Sequence, residues 1–421
     1  MTERTEAKPG ARHYDRLALR LAVVMLIIVA GSYVINAADR QVFFVVLPGI
    51  SEELSFSLAS GGLLGTIFTL GIGVSGLPVG FFLDRYSRKA VMLLGITIYS
   101  VFTILTALAF GFFDMALYRG VTGIGEAMQQ AALFAAVGAY FYQRRALALG
   151  TCNFAYGLGA FFGPLFGGIL FQATGAWETP FYVYGVIGLV FVALIYFVVP
   201  RGFTEQIDPG APGSAAAEVD AQMPERLFNR NIIIGIITAA TVGLSMYGYL
   251  SLYPTFLQGQ LGFSPTEAGF ALSMFGIGAL MGIPAGYLGD RFDQRWIIIA
   301  ALVGAIITAY FLFLVGQTPF EQSLLSFLMG TFASGFLFVN VYSLMQRSVR
   351  TTTIGRASGT FITSLFVPSA LAGYLFGSLA TQFDWGGAAI IQLMLLPLVG
   401  IAAMLFLDNS KISKVAIGRS H

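Results

Sequence analysis

Asp39 and Arg40 are neighbours, and Arg119 and Glu126 stand seven residues apart, in stretches otherwise apolar enough to cross a membrane. An ionised side chain at the bilayer centre costs roughly 2.5 to 3.5 kcal/mol or more, so such a residue marks a functional site by default. Two carboxylates with two guanidiniums suit one kind of chemistry, the exchange of protons against a bound anion. A carboxylate in a low-dielectric cavity binds a proton more readily, an adjacent Arg opposes this, and the gain or loss of the Arg's anionic partner switches the balance. Arg is permanently charged and forked, which suits bidentate binding of carboxylate or phosphate. Asp39 and Glu126 are therefore candidates for proton coupling, and Arg40 and Arg119 for anion binding. The structural use of the same residues is ion pairing, Arg40 with Glu126 or Asp39 with Arg119, although buried pairs often do not repay their desolvation.

Geometry lets the four meet. Seven helical residues leave Arg119 and Glu126 about 20° from eclipsed, on one face across two turns. Measured from the outer ends of their spans, Arg40 lies about 10 Å deep, Arg119 about 8 Å and Glu126 about 18 Å. Arg40 then falls between the other two if the spans face each other.

Membrane helices must carry them. Of the 421 residues, 57% are apolar and 10% charged, against about 25% charged in soluble domains, and the mean hydropathy is +0.79. Apolar stretches fall at 21–47, 58–83, 90–112, 114–141, 146–171 and 180–199, and again at 232–257, 266–289, 296–317, 320–346, 355–381 and 386–407. Lipid offers no partner to an unpaired amide, so these twelve stretches are expected to be helices. The expected fold is an all-α polytopic membrane protein with twelve transmembrane helices in two six-helix bundles.

With the N-terminus placed in the cytoplasm, every Lys and Arg except Arg40 and Arg119 falls in a cytoplasmic loop or tail, while Glu52, Glu53, Asp114, Glu178, Glu267, Glu321 and Asp384 lie at the opposite edge. A wrong span count would scramble this separation. The expected organisation is a cytoplasmic tail at 1–20, a bundle at 21–199, a polar linker at 200–231 marked by Pro209, Pro212 and Gly213, a second bundle at 232–407 and a cytoplasmic tail at 408–421. The first twenty residues are polar and lack the apolar core of a signal peptide, so the first helix is expected to be retained. The net charge of +2 reflects the basic loops and points to no nucleic acid. Cys152 is alone, and His13 and His421 lie in the tails, so neither a disulfide, a histidine relay nor a membrane metal site is expected.

The halves echo each other at an offset of 206 residues. Gly76, Pro78, Gly80, Asp84, Arg85 and Tyr86 align with Gly282, Pro284, Gly286, Asp290, Arg291 and Phe292. A duplicated bundle with a site near its interface is the architecture of an alternating-access carrier.

Gly80, Asp84, Arg85, Arg88 and Lys89 resemble the signature of the major facilitator superfamily between its second and third helices; the copy keeps Asp290, Arg291 and Arg295 but has Gln294 in place of Arg88. That resemblance covers nearly the whole chain and implies that these residues form a cytoplasmic charge latch stabilising the outward-open state. Asp39-Arg40, with Arg119 and Glu126 in the run Arg-Gly-Val-Thr-Gly-Ile-Gly-Glu-Ala, resembles the anion:cation symporter branch, and spinster-like lipid carriers show a similar set. The resemblance implies that Asp39 binds the proton, that Glu126 is a second titratable group coupled to substrate, and that Arg40 and Arg119 hold a carboxylate or phosphate. Gly159, Gly163, Pro164 and Gly167 match the antiporter signature of drug exporters, and their spacing equally permits close helix packing.

The second half has no charge deep in a helix. Tyr247, Tyr249, Ser251, Tyr253, Asn340, Thr363 and Ser364 are its polar groups expected to reach the cavity. The expectation is a transporter rather than an enzyme: a monomeric proton-coupled symporter of a small organic anion in a bacterial inner membrane, without cofactor. Proton-linked export of drugs or amphiphilic lipids is the alternative.

Overall fold

The computed structural model describes residues 17–141, 145–205, 224, 226–350 and 353–412, and among these every regular element is a helix. The first half comprises α1 (Leu19–Glu53), α2 (Leu58–Thr66 and Phe68–Arg85, interrupted at Ile67), α3 (Arg88–Thr106), α4 (Phe112–Tyr140), α5 (Arg145–Thr174) and α6 (Thr179–Val198). The second comprises α7 (Arg230–Gly259), α8 (Pro265–Ala279 and Gly282–Arg291), α9 (Gln294–Tyr310 with a π turn at Phe311–Val315) and α10 (Pro319–Gly330, a π segment Thr331–Phe338, and Val339–Arg347). Next, α11 runs through Ile354–Ser369 and Ala372 to a break at Phe383 and Asp384, and α12 continues from 385 through a π turn to Leu405.

The chain breaks between α11 and α12 because Asp384 sits at φ +61°, where its carboxylate accepts the Gly387 amide at 2.8 Å and starts the new helix. Capping boxes at Ser264–Glu267 and Thr318–Glu321 start α8 and α10. Among the described residues, ten helical runs are long and apolar enough to cross a membrane, the last of them the fused α11 and α12. The span missing from the ten, α4, carries Asp114, Arg119, Glu126, Gln129 and Gln130, which lower its hydropathy. Among the described residues the spans are therefore twelve, as expected. The linker begins later than expected: Arg201–Thr204 forms a short helix, and Glu205 accepts from the Arg88 and Lys89 amides at 3.0 Å each, so these residues belong to the first bundle. Most of the remaining linker and both extreme tails lie outside the described residues.

Glycines set where the bundles touch. At the end bearing Glu52, Glu53 and Asp384, a Cβ on Gly62 would collide with the Gly373 carbonyl, and one on Gly168 or Gly269 would strike Pro265 or Pro164 across the α5–α8 contact. Thr66 Oγ1 donates to Ala370 O at 2.8 Å, and Gln258 Nε2 to Val45 O at 3.0 Å. Towards the basic end the contact fades. Along α2, Gly73 is packed by Val367, Gly76 has only Ile362 at 3.8 Å, and Gly80 has nothing within 4 Å; along α5, Gly157 meets Leu280 whereas Gly150 meets nothing. The bundles are sealed at the acidic end and diverge towards the basic end.

Gly373→Val would wedge the seal against Gly62. A cysteine replacing buried Thr66 should then become reactive to a membrane-impermeant thiol reagent added on the acidic side, in a background lacking Cys152; unchanged labelling would show that the glycine contact does not hold that end shut.

Candidate functional site

The charged quartet lies where α1 and α4 face each other, and glycines bring its helices together. On α4, Gly120, Gly123 and Gly125 alternate with the charges. Gly123 admits the Phe68 carbonyl of α2, and a Cβ on Gly125 would lie 2.6 Å from the Tyr99 amide of α3. On α5, Gly159, Gly163 and Gly167 let the helix back onto Val34, Ala38 and Val42 of α1, with a Cβ on Gly163 only 2.5 Å from Ala38 Cα. Other α5 positions, Gly157, Ala160, Pro164 and Gly168, meet α8. Close packing thus accounts for the α5 glycines from Gly157 to Gly168.

Asp39, Arg119 and Glu126 are 0% exposed and Arg40 is 3% exposed. They form two unequal pairs. Arg40 Nε donates to Glu126 Oε2 at 2.9 Å and Arg40 Nη2 to Asn36 Oδ1 at 3.1 Å, a charge-assisted pair with a second anchor. Arg119 Nη1 stands 3.9 Å from Asp39 Oδ2, too far for a hydrogen bond. Among the described residues, no hydrogen-bond partner meets any of the three Arg119 nitrogens, either Asp39 oxygen, or Glu126 Oε1. The Arg119 guanidinium instead lies 4.6 Å from the Phe43 ring centre and 5.3 Å from that of Phe68, and Arg40 is 5.8 Å from Phe68 and 5.7 Å from Tyr156. Aromatic faces supply part of the missing counter-charge.

Sequence reasoning missed the polar chain behind Arg40. Asn36 Nδ2 donates to Gln129 Oε1 at 2.7 Å, Gln129 Nε2 to Ser32 Oγ at 2.9 Å, and Ser32 Oγ to Val29 O at 2.7 Å. Helical spacing could have found it, because Asn36 is four residues before Arg40 and Gln129 three after Glu126, on the faces already assigned to charge.

The second half delivers fewer residues than expected. Tyr247 reaches the site edge, with its ring 6.0 Å from Phe68 and 5.9 Å from Phe366. Tyr249 and Tyr253 turn into their own bundle: Tyr249 Oη pairs with Ser326 Oγ at 2.8 Å, and Tyr253 Oη donates to Gln322 O at 3.1 Å. Two positions along a helix is about 200°, so Tyr247 and Tyr249 cannot share a face. Asn340 donates to Ala285 O at 3.3 Å and Phe336 O at 3.0 Å, where it joins α10 to α8. Ser251 and Ser364 bond their own helices, at Gly248 O and Thr360 O, and Thr363 is exposed.

At the basic end, Lys89 Nζ donates to Tyr196 O at 2.9 Å and Val199 O at 2.5 Å, the last carbonyls of α6. Its equivalent Arg295 donates to Leu407 O just past α12. Each clasps the end of its own bundle. Arg88 reaches Thr204 O at 3.4 Å, Arg291 lies 4.4 Å from the Tyr287 ring centre, and Arg85 is exposed. The side chains of Asp84 and Asp290 lie outside the described set, and Gly80 and Gly286 are on the helices that lead to them.

Twelve helices in two repeated bundles, closed at one end and parted at the other around buried charge, define a multi-pass membrane carrier. The chain belongs to the Major Facilitator Superfamily, whose sequence pattern matches residues 29–258 and 235–420; its members are transporters, not enzymes, as the repeated Gly80–Lys89 signature implied. It is 23% identical to the hexuronate transporter of Bacillus subtilis over 86% of this chain and 89% of that protein. It is 28% identical to an MFS-type efflux pump of Mycolicibacterium smegmatis over 91% of each. Its fold matches a bacterial homolog of the human lysosomal transporter spinster, in an inward-facing and unoccupied conformation, with a TM-score of 0.72 and 20% identity over 94% of this chain and 96% of that one.

The unequal pairing predicts unequal stability. Arg40→Met leaves Glu126 buried without its partner, at a cost of about 3 to 5 kcal/mol, whereas Arg119→Met removes a cation that makes no hydrogen bond. Melting of the purified protein in detergent should fall markedly for the first and little for the second; equal falls would mean that Arg119 is a structural partner of Asp39.

Proposed function

We propose that this carrier moves a small organic anion coupled to protons, with Arg119 as the anion ligand and Asp39 as the proton-binding carboxylate. One observation carries the reading: a fully buried guanidinium has no hydrogen-bond acceptor on any nitrogen among the described residues. Buried donors are ordinarily satisfied, and a buried cation most strongly so. A carboxylate could dock on two of these nitrogens side by side, with Phe43 and Phe68 flanking it. Similarity to a hexuronate transporter supports an acidic cargo.

Coupling follows from the loose pair. An anion that engages Arg119 draws from Asp39 the cation that stands 3.9 Å from it, and a carboxylate so deprived in low dielectric is relieved by binding a proton. Arg40 is committed to Glu126, so its part is to hold that carboxylate and Asn36 in place until the pair separates. Phe68, Tyr247 and Phe366 close over the charges in this conformation, and exchange of cargo requires that aromatic layer to part.

The basic loops support a cytoplasmic side for the divergent end, with both termini on that side of a bacterial inner membrane, and with it an inward-facing reading of this conformation; a monomer is part of the same proposal. Similarity to an efflux pump favours the second reading, proton-linked export. Gly159, Gly163 and Gly167 of α5 add nothing to it, because each is used in packing against α1.

Uptake of labelled acids into proteoliposomes tests the assignment. Arg119→Ala should weaken the transported acid about 100-fold or more, the scale of a lost charge-assisted pair; wild-type affinity in this variant sinks the ligand role. Asp39→Asn should lose accumulation driven by an inward proton gradient and keep counterflow. Gradient-driven accumulation in Asp39→Asn would remove Asp39 from the coupling, and drive by an outward gradient alone would establish export.

A further inference from the structure

Two helix breaks face each other across the bundles, and one of them stands between the sealed end and the buried charge. In α2 the Leu70 amide donates to Ile67 O at 3.0 Å, a tighter turn than α, and Thr66 O accepts the Thr69 hydroxyl at 2.7 Å. Threonine hydroxyls that serve nearby carbonyls in this way compete with the helix ladder and bend it. In α11 the Ala370 and Leu371 amides turn back to Val367 O and Pro368 O, at 3.3 and 3.1 Å. Ala370 O, at that break, accepts the hydroxyl of Thr66, at the other.

The break divides α2 by partner. Before it, Gly62 backs onto Gly373 and Thr66 bonds Ala370 O, so the first segment belongs to the contact with the second bundle. After it, the chain is pressed onto α4: a Cβ on Gly71 would collide with Gly120 O, and one on Gly123 with Phe68 O. Gly123 lies one turn beyond Arg119, and Phe68 is the first residue past the break. Phe68 is fully buried, with its ring centre 5.3 Å from the Arg119 guanidinium, 5.8 Å from that of Arg40 and 6.0 Å from the Tyr247 ring of the second bundle. Phe43 and Tyr156 each meet one arginine, whereas Phe68 meets both.

We infer that Phe68 is a positioning residue that couples the seal to the buried charge. Attraction of its face to Arg119 and Arg40 holds the α2 break in the shape that presents Thr66 to Ala370 O. Hydroxyl and ring are two residues apart on a turn tied by Thr69 and Leu70, so a displacement of one is carried to the other. A change at the arginines therefore reaches the acidic end, and opening of that end reaches the arginines by the same amount. The link depends on ring and cation alone, whatever the cargo.

The coupling can be read without cargo. Ala370 is buried and engages Thr66 through its carbonyl, so Ala370→Cys keeps that bond. In protein that also carries Cys152→Ala, the rate at which a membrane-impermeant maleimide applied on the acidic side labels this cysteine reports opening of the seal. With Phe68 in place, Arg119→Met should raise the rate about tenfold, the scale of a desolvated cation–π contact. Phe68→Leu should raise it by itself and leave Arg119→Met nothing further to add. Phe68→Tyr keeps the aromatic face and should restore the response to Arg119→Met. A ring that only fills space would let Arg119→Met act equally in the Phe and Leu backgrounds; that outcome, or an unchanged rate in Arg119→Met with Phe68 present, overturns the coupling. If Phe68→Leu does not fold, the other two backgrounds decide, since a missing response in either of them overturns it as well.

Discussion

Hydrocarbon provides neither hydrogen bonds nor counter-charge, and this scarcity shapes the molecule at every level. Backbone amides satisfy themselves within helices, so the twelve spans are helical and their breaks are sealed locally, as by the Asp384 carboxylate on the Gly387 amide. Side-chain amides and hydroxyls find partners on neighbouring helices, as Asn36, Gln129 and Ser32 do. Charges tolerate the setting only in company. Glycine is the means of providing that company, since Gly123, Gly125, Gly159 and Gly163 let α2, α3 and α5 press close to the helices that bear the quartet.

Repetition and asymmetry coexist in the two bundles. The clasps are equivalent: Lys89 and Arg295, 206 residues apart, both donate to carbonyls at the final turn of their own half. Such clasps keep each bundle a rigid unit at its basic end, which suits halves that rock against each other. The interiors differ. All deep charge is in the first half, and the second contributes aromatic cover from Tyr247 and Phe366. The π segments of α9, α10 and α12 all occur in the second half among the described residues. One half carries the fixed charge, and the other, with its π turns, supplies the aromatic cover.

Much of the architecture was legible before any coordinates. Long apolar runs, basic loops and the repeat at 206 residues gave the span count, because each reflects a one-dimensional rule: length against bilayer thickness, charge against membrane side, and duplication. The exceptions are local. The linker loses its first residues to the first bundle because Glu205 caps α3, a contact between segments more than a hundred positions apart. Polar groups of the second half were harder to place, since Tyr249, Tyr253 and Asn340 meet the requirement for a partner inside their own bundle as readily as in a cavity.

Sequence alone thus determined that two carboxylates and two guanidiniums sit within two membrane spans, since composition and the seven-residue spacing are properties of the chain itself. Which pair is tight and which is loose was decided by tertiary structure. Arg40 has Glu126 and Asn36 within hydrogen-bonding distance, while Arg119 is held among phenylalanines 3.9 Å from Asp39. A difference of one ångström between satisfied and unsatisfied charge depends on how closely glycines let neighbouring helices pack, and no spacing along the chain encodes it.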